Sequence, residues 1–172
     1  MAPGAAGLRL RPEGNNVILH VMAVNPQVQG KSYPPTDPYV VSRAKIGEFA
    51  AAIGAQDAAH TDASIARERG YADVIAPPTY AIGIAQRAEY AVVNDPDAGI
   101  DYSRVVHGEQ KFVHHRPLAA GDEVVAQTTV ARIRAAGGHS MVTLETAIRT
   151  TDGDLTTTAT SLLVIRGNEG SQ

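Results

Sequence analysis

Four long runs of alternating side chains, each closed by a turn signal, decide most of what this chain can fold into. They cover Arg104 to His114, Glu123 to Arg134, His139 to Thr150 and Leu155 to Ile165. Period-two alternation suits a half-buried strand. In the third run Val142, Leu144 and Ile148 share one face. The connections are Arg116-Pro-Leu-Ala-Ala-Gly-Asp122, Gly137-Gly138 and Asp152-Gly153-Asp154, the last a hairpin turn. Short links of this kind join antiparallel neighbours, so the second half of the chain reads as a meander.

The first half reads differently. Ser32 to Tyr39 contains three prolines and is an extended lead-in to a short strand at Tyr39-Val-Val41. Ser42 is a good N-cap for a helix carrying Ile46, Phe49, Ala50 and Ile53 at i, i+3, i+4 and i+7, which stops at Gly54. Asp62 caps a second, short helix that ends at Gly70. Thr79 is placed to cap a third, running from Tyr80 to about Val92, with apolar residues on nearly all its sides. Helices first and a strand meander after them give an α+β fold of one domain.

Composition narrows the function classes. The 172 residues have a net charge of −3, which gives no reason to expect nucleic acid or an anionic membrane. There is no cysteine, so disulfides, thiolate catalysis and zinc–thiolate sites are excluded. No apolar run is long enough for a membrane span, and the cytoplasm is the default location. The core draws on Ala, Val and Ile with only two Phe and no Trp, so stability is expected to lean on a subunit interface. Residues 1–29 are expected to form a disordered extension, with Val17 to Val21 too short for a signal peptide and Met22 as an alternative start to Met1. The domain proper is 30–166, and 167–172 is a polar tail.

Asp57 and His60 lie on the connection between the first two helices, where rigid flanks can hold polar side chains for chemistry. The stretch Gly54-Ala-Gln-Asp-Ala-Ala-His60-Thr-Asp62, followed by Gly70-Tyr-Ala-Asp-Val-Ile-Ala-Pro-Pro78, resembles the active loop of the MaoC-like (R)-specific hydratases and dehydratases. That family's loop reads roughly Gly-Asp-x-Asn-Pro-x-His-x-Asp, then Gly-x-x-x-Val-Ile-Ala-His-Gly. Lys31-Ser-Tyr-Pro-Pro-Thr-Asp-Pro-Tyr39, Asp101 to Phe112 and Arg116 to Asp122 are similar to an actinobacterial branch that includes the A-type subunit of the mycobacterial (3R)-hydroxyacyl-ACP dehydratase.

The resemblance implies a hot-dog fold, an antiparallel sheet wrapped around a central helix. It also implies a (3R)-3-hydroxyacyl thioester, on ACP or CoA, as substrate. His60 would be the base and Asp57 its candidate partner; no cofactor and no metal are implied. The departures weigh as much as the match. Ala55 stands where the family has its catalytic Asp, and Asp57 falls on the family's Asn. Pro77-Pro78 replaces a His-Gly whose glycine N–H binds the thioester oxygen, and proline has no N–H to give. The expectation is therefore a heterodimer, in which a partner with an intact loop does the chemistry while Ile82, Ile84 and their neighbours line the acyl tunnel. The alternatives are an autonomous hydratase using Asp57 and His60, and an acyl-thioester binding protein without chemistry. A thioesterase would need a carboxylate on the long helix, where Glu89 is the only one.

Among the other histidines, His114 and His115 are adjacent and expected on opposite strand faces, so they should not form a site together. His107 beside Gly108 reads as a hydrogen-bonded strand residue that could face a tunnel. Asp57, His60 and Asp62 form a metal-like trio, but Asp62 is better explained as a cap.

Overall fold

A computed structural model of the chain describes residues 24–167. Strand β1 is Tyr39–Val40 and helix α1 is Arg43–Ile53. The Ser42 hydroxyl accepts from the Lys45 N–H at 3.2 Å, and Gly54 ends the helix with φ at 69°. That left-handed conformation costs glycine nothing. Ile46 and Ala50 are buried, Phe49 packs at the margin of the core and Ile53 is half exposed. Helix α1 thus covers one end of the core rather than crossing it.

Asp62 caps α2, Ala63–Glu68, by accepting from the N–H groups of Ser64 and Ile65. Helix α3 is Ala81–Val93. Thr79 is not its cap, contrary to expectation. Pro77 and Pro78 instead lead into a 3₁₀ turn, Pro78–Tyr80, that runs straight into α3 with no capping side chain. Proline's fixed φ already matches a helical first turn, and its missing N–H leaves nothing there to cap.

The remaining strands are β2 Val105–His114, β3 Glu123–Ala136, β4 His139–Thr150 and β5 Leu155–Ile165, in the order β1-β3-β4-β5-β2, and their pairings are antiparallel. The inner face is built in cross-strand rows. Ala126 sits opposite Ile148, and Val130 opposite Leu144. Between them Thr128 and Thr146 exchange a buried hydroxyl hydrogen bond of 2.7 Å. Of the three register shifts that interrupt the alternation among the described residues, two bear on the arrangement of side chains. One, between Val130 and Arg132, turns Arg132 and Arg134 outward, where a regular strand would bury them. The other lies at Gly108, between His107 and Glu109. A Cβ on Gly108 would meet a Val164 methyl at 3.2 Å, so glycine eases the tight approach there.

The concave face wraps α3. Ala81, Ile84, Ala85 and Ala88 pack on Val124, Ala126, Ile148 and Ala159, while Val92 joins Val130, Val142, Leu144, Leu163 and Ile165. Small residues on α3 let the helix lie close to the strands, as a helix buried on several sides requires. This is the sheet-wrapped helix of the expected hot-dog fold.

The expected boundary at residue 30 needs correction. Val24 is 1% exposed and Val28 5%, both within the second core cluster, and the Gly30 N–H donates to the Val130 carbonyl at 2.8 Å. Residues 24–29 therefore belong to the folded unit, because their two valines close the open end of the barrel-like curl. Residues 1–23, with Val17 to Val21 and Met22, lie outside the described residues, as do 168–172 of the tail.

Candidate functional site

The loop after α1 is fixed by backbone bonds before any side-chain chemistry begins. Asp57 caps a 3₁₀ turn, Ala58–His60, accepting from the Ala59 N–H at 2.9 Å. The Ile75 N–H then donates to the Ala59 carbonyl at 3.0 Å. His60 answers across the same gap: its Nδ1 lies 2.7 Å from the Ile75 carbonyl oxygen. A carbonyl only accepts, so Nδ1 carries the proton and the neutral ring keeps its lone pair on Nε2. His60 is 8% exposed and lines a cavity of about 420 Å³ whose other walls include Ile75, Ala76, Pro77, Pro78, Ala81 and Leu118. A buried imidazole of fixed tautomer in an apolar cavity is a usable proton acceptor.

Asp57 borders the same cavity but is held elsewhere. Arg69 donates to it at 2.5 Å, and its side chain is 48% exposed. The Ala59 N–H first, and the Arg69 guanidinium second, hold its carboxyl below the usual carboxylate range. Such a group is a settled anion and a poor proton donor. Asp62 is used as the cap of α2, and among the described residues no cluster of metal-ligating side chains could hold a metal ion. Ala55 offers no side-chain chemistry, and Pro77 and Pro78 present no N–H to a ligand oxygen.

The structure brings together residues that strand parity had kept apart. His114 and His115 both border the His60 cavity, with Arg116 beside them. The bulge at Gly108 shifts the parity of β2, so His107, Gln110, Phe112 and His114 all pair with inner-face residues of β5. Strand β2 ends at His114, and the His115 N–H donates to the Thr156 carbonyl beyond the strand. The signal that would have placed His114 is Gly108, a bulge-permitting glycine within a strand. The Arg116 guanidinium is paired with Asp122 at 2.7 and 2.9 Å.

Two further hollows flank α3. One, of about 350 Å³, holds Ile82 and Ile84 with Tyr39, Phe49, Tyr80 and Arg87, so both expected tunnel residues do border a cavity. Ile84 is nevertheless 4% exposed and mainly a core residue. The other, of about 300 Å³, is bordered by Glu89 and His107. Glu89 is 5% exposed and 2.5 Å from the Ser161 hydroxyl, which is also 2.9 Å from Gln110 Oε1. The Gln110 amide nitrogen donates to the Thr160 carbonyl, which points its oxygen at Ser161. The Ser161 hydroxyl donates to Glu89 Oε1. Burial pushes the Glu89 carboxyl up, against the effect of that bond.

Comparison with known proteins places this geometry. Residues 27–159 match the FAS1-like, dehydratase domain region family. The chain is similar to a UPF0336 protein of Leifsonia xyli subsp. xyli, 46% identical over 149 residues that cover 87% of this chain and 100% of that protein. A UPF0336 protein of Saccharopolyspora erythraea is 48% identical over 138 residues, 80% of this chain and 88% of that one. Among solved structures, the HadBC (3R-hydroxyacyl-ACP dehydratase) complex from Mycobacterium tuberculosis matches with a TM-score of 0.72 at 27% identity, over 80% of this chain and 96% of that chain. A MaoC-like dehydratase matches with a TM-score of 0.76 at 27% identity, over 83% of this chain but 43% of that longer one. The (R)-hydratase from A. caviae shares the fold at 19% identity and a TM-score of 0.60. The chain belongs to the FAS1-like, MaoC-like dehydratase domain family and has its hot-dog fold.

Proposed function

We propose that this chain is a subunit of an enzyme that interconverts (3R)-3-hydroxyacyl and enoyl thioesters, carried on ACP or CoA, in cytoplasmic fatty-acid metabolism. It works beside a second hot-dog subunit whose loop holds the complete Asp and His pair. One observation carries this reading: the cavity keeps a buried, base-ready His60 while the loop around it has lost its acid. Ala55 is inert, and Asp57 is tied to Arg69 as an anion. Removing water needs both a base and an acid, so the main catalytic loop belongs to another subunit. The edge of the sheet supports an assembly. Strand β2 is an outer strand, and Val106 and Val113 on it, with Tyr90 and Tyr102 beside it, are 46–62% exposed. Exposed edges of this kind invite another strand. Here α3, with Ile82 and Ile84, shapes the apolar lining next to the partner's site.

The test is co-expression with a hot-dog protein carrying Gly-Asp-x-Asn-Pro-x-His. A stable 1:1 complex that hydrates enoyl thioesters is expected. Asp→Asn in the partner's loop should remove almost all of its rate, whereas His60→Ala should remove only the small share this chain contributes. A chain that stays monomeric by light scattering and binds no such partner would sink the reading. A fully autonomous hydratase is favoured only by the free lone pair of His60, and Asp57 gives that version no help.

A further inference from the structure

We infer that His114 is a second proton carrier in this chain's own cavity, so that the chain alone slowly hydrates short enoyl thioesters with His60 as base and His114 as acid. The substrate class rests on the reading above; the chemistry goes beyond it, because that reading leaves this chain without an acid.

The need is stoichiometric. A β-elimination moves one proton off C2 and delivers one to the leaving hydroxyl. Ala55 cannot supply it, and Asp57 is an anion held by the Ala59 N–H and Arg69. Bordering the same cavity are His60, His114, His115 and Arg116. Arg116 is bound bidentately to Asp122 and does not give up a proton at neutral pH. The imidazoles remain, and the strand geometry selects between them. The Gly108 bulge sets His114 on the inner face, opposite Thr157. Its Nδ1 lies 3.1 Å from the Thr157 hydroxyl, and its ring stacks on Phe112 with centroids 5.8 Å apart and planes 19° from parallel. His115 has no ring hydrogen bond of this kind among the described residues. A ring oriented on two sides, with Nε2 left over, is what a proton donor needs.

The step balances. His60 Nε2 takes the C2 proton, and the C2 electron pair forms the C2=C3 bond as C3–O breaks. The departing oxygen takes the proton from His114 Nε2 and leaves as water. The enzyme has then moved one proton from His114 to His60, and solvent exchange at the cavity mouth resets the pair. Hydration is the same path reversed. The active form therefore has one imidazole protonated and one neutral, which predicts a bell-shaped pH profile. The charged or titratable neighbours are Asp57, His115 and Arg116 on the surrounding loops; β5 contributes the Thr157 hydroxyl, which does not titrate. With Pro78 in place of an oxyanion donor the rate should be low, since losing one such donor costs about 10²–10³.

The test uses the purified full chain and crotonyl-CoA, following loss of the enoyl thioester absorbance across pH. Slow, His60-dependent hydration with a bell-shaped profile is expected. His114→Phe keeps the stacking and should lower the rate about a hundredfold while removing the acidic limb, because in hydration His114 must start neutral to take water's proton. His114→Tyr restores a group that can take that proton once ionised and should recover part of the rate, with the acidic limb moved to higher pH. Melting curves of each variant separate these effects from misfolding. No hydration above the buffer rate in the wild-type chain overturns the proposal, even if the assembled enzyme is active. A wild-type rate and profile in His114→Phe overturn it too, as does loss of the acidic limb in His115→Phe instead. An inactive complex with its partner would instead count against the proposed function.

Discussion

Helix α3 passes two clusters of titratable side chains that differ in nearly every respect. Its first residue, Ala81, borders the His60 cavity; about two turns on, Glu89 sits under the sheet against Ser161 and Gln110. The first site is held by loop backbone, with Asp57 outside as an exposed anion and His60 inside with its Nδ1 on the Ile75 carbonyl. The second is held by strand packing, and burial there raises the carboxyl of Glu89 above its ordinary range. Hydrogen bonds decide the direction at Asp57 and burial decides it at Glu89. Asp57, with an N–H and a guanidinium beside it, binds its proton weakly, whereas Glu89, with a hydroxyl and little solvent, binds its proton tightly. A carboxyl of each kind on one scaffold shows that acidity was placed for structure at Glu89 and for loop closure at Asp57. Neither is placed to give up a proton to a substrate, so the proposed transfers use imidazoles.

The sharpest way to break the contrast is to force a charge into the buried site. Glu89→Lys would set an ammonium among Ser161, Gln110 and the core, with no carboxylate given in return. A loss of about 3–5 kcal/mol is expected, read as a lower urea midpoint. Glu89→Gln should cost little, because its amide oxygen can still accept from Ser161. A mild Glu89→Lys would mean that the site opens to water and that Glu89 is ionised.

The next effect is a pH dependence. Glu89 is raised from its ordinary value of 4.5, chiefly by burial. The folded state then holds a proton that the unfolded chain has released. The stability from this group is complete below about 4.5, declines as pH climbs above that value, and is gone above the raised folded value. Urea midpoints measured over that window should fall with pH in the wild type and lose this component in Glu89→Gln. An identical slope in both proteins would place the titration elsewhere.

The caps and periods of the sequence account for α1 and α2 because their signals are local. Ser42, Gly54 and Asp62 act on neighbours within a few residues, and the structure uses them so. The ends of β4 and β5 were equally legible, since glycine and aspartate mark the turns. Three features were hidden because they depend on partners distant in the chain. Residues 24–29 read as a tail, yet Val24 and Val28 are covered by strands more than a hundred positions away. The bulges cannot be read from alternation, which assumes strict parity, and neither can the end of β2 at His114, which lets His114 and His115 border one cavity. Glu89 reads in the sequence only as the one carboxylate on the long helix, and its burial against Ser161 depends on a strand residue 72 positions away. At the loop, residue types alone showed which parts of the family pattern are missing; that Arg69 immobilises Asp57 needed coordinates.

The smallest expected effect concerns that ion pair. Asp57→Asn keeps an oxygen to accept from the Ala59 N–H, so the turn that carries His60 should persist, while the bond to Arg69 loses its charge. The pair is about half exposed on both sides, where screening leaves such contacts weak. The sign follows from the lowered carboxyl: its contribution is present above the ordinary value of 3.8 and is lost as pH falls through the lower folded value. The variant should thus melt as the wild type does at neutral pH and lose slightly less stability on acidification. Its crotonyl-CoA hydration should stay within about twofold of wild type, because a fixed anion that donates no proton is not part of the transfer. A drop as large as that of His60→Ala, with unchanged melting, would return Asp57 to the chemistry and make Arg69 its regulator rather than its anchor.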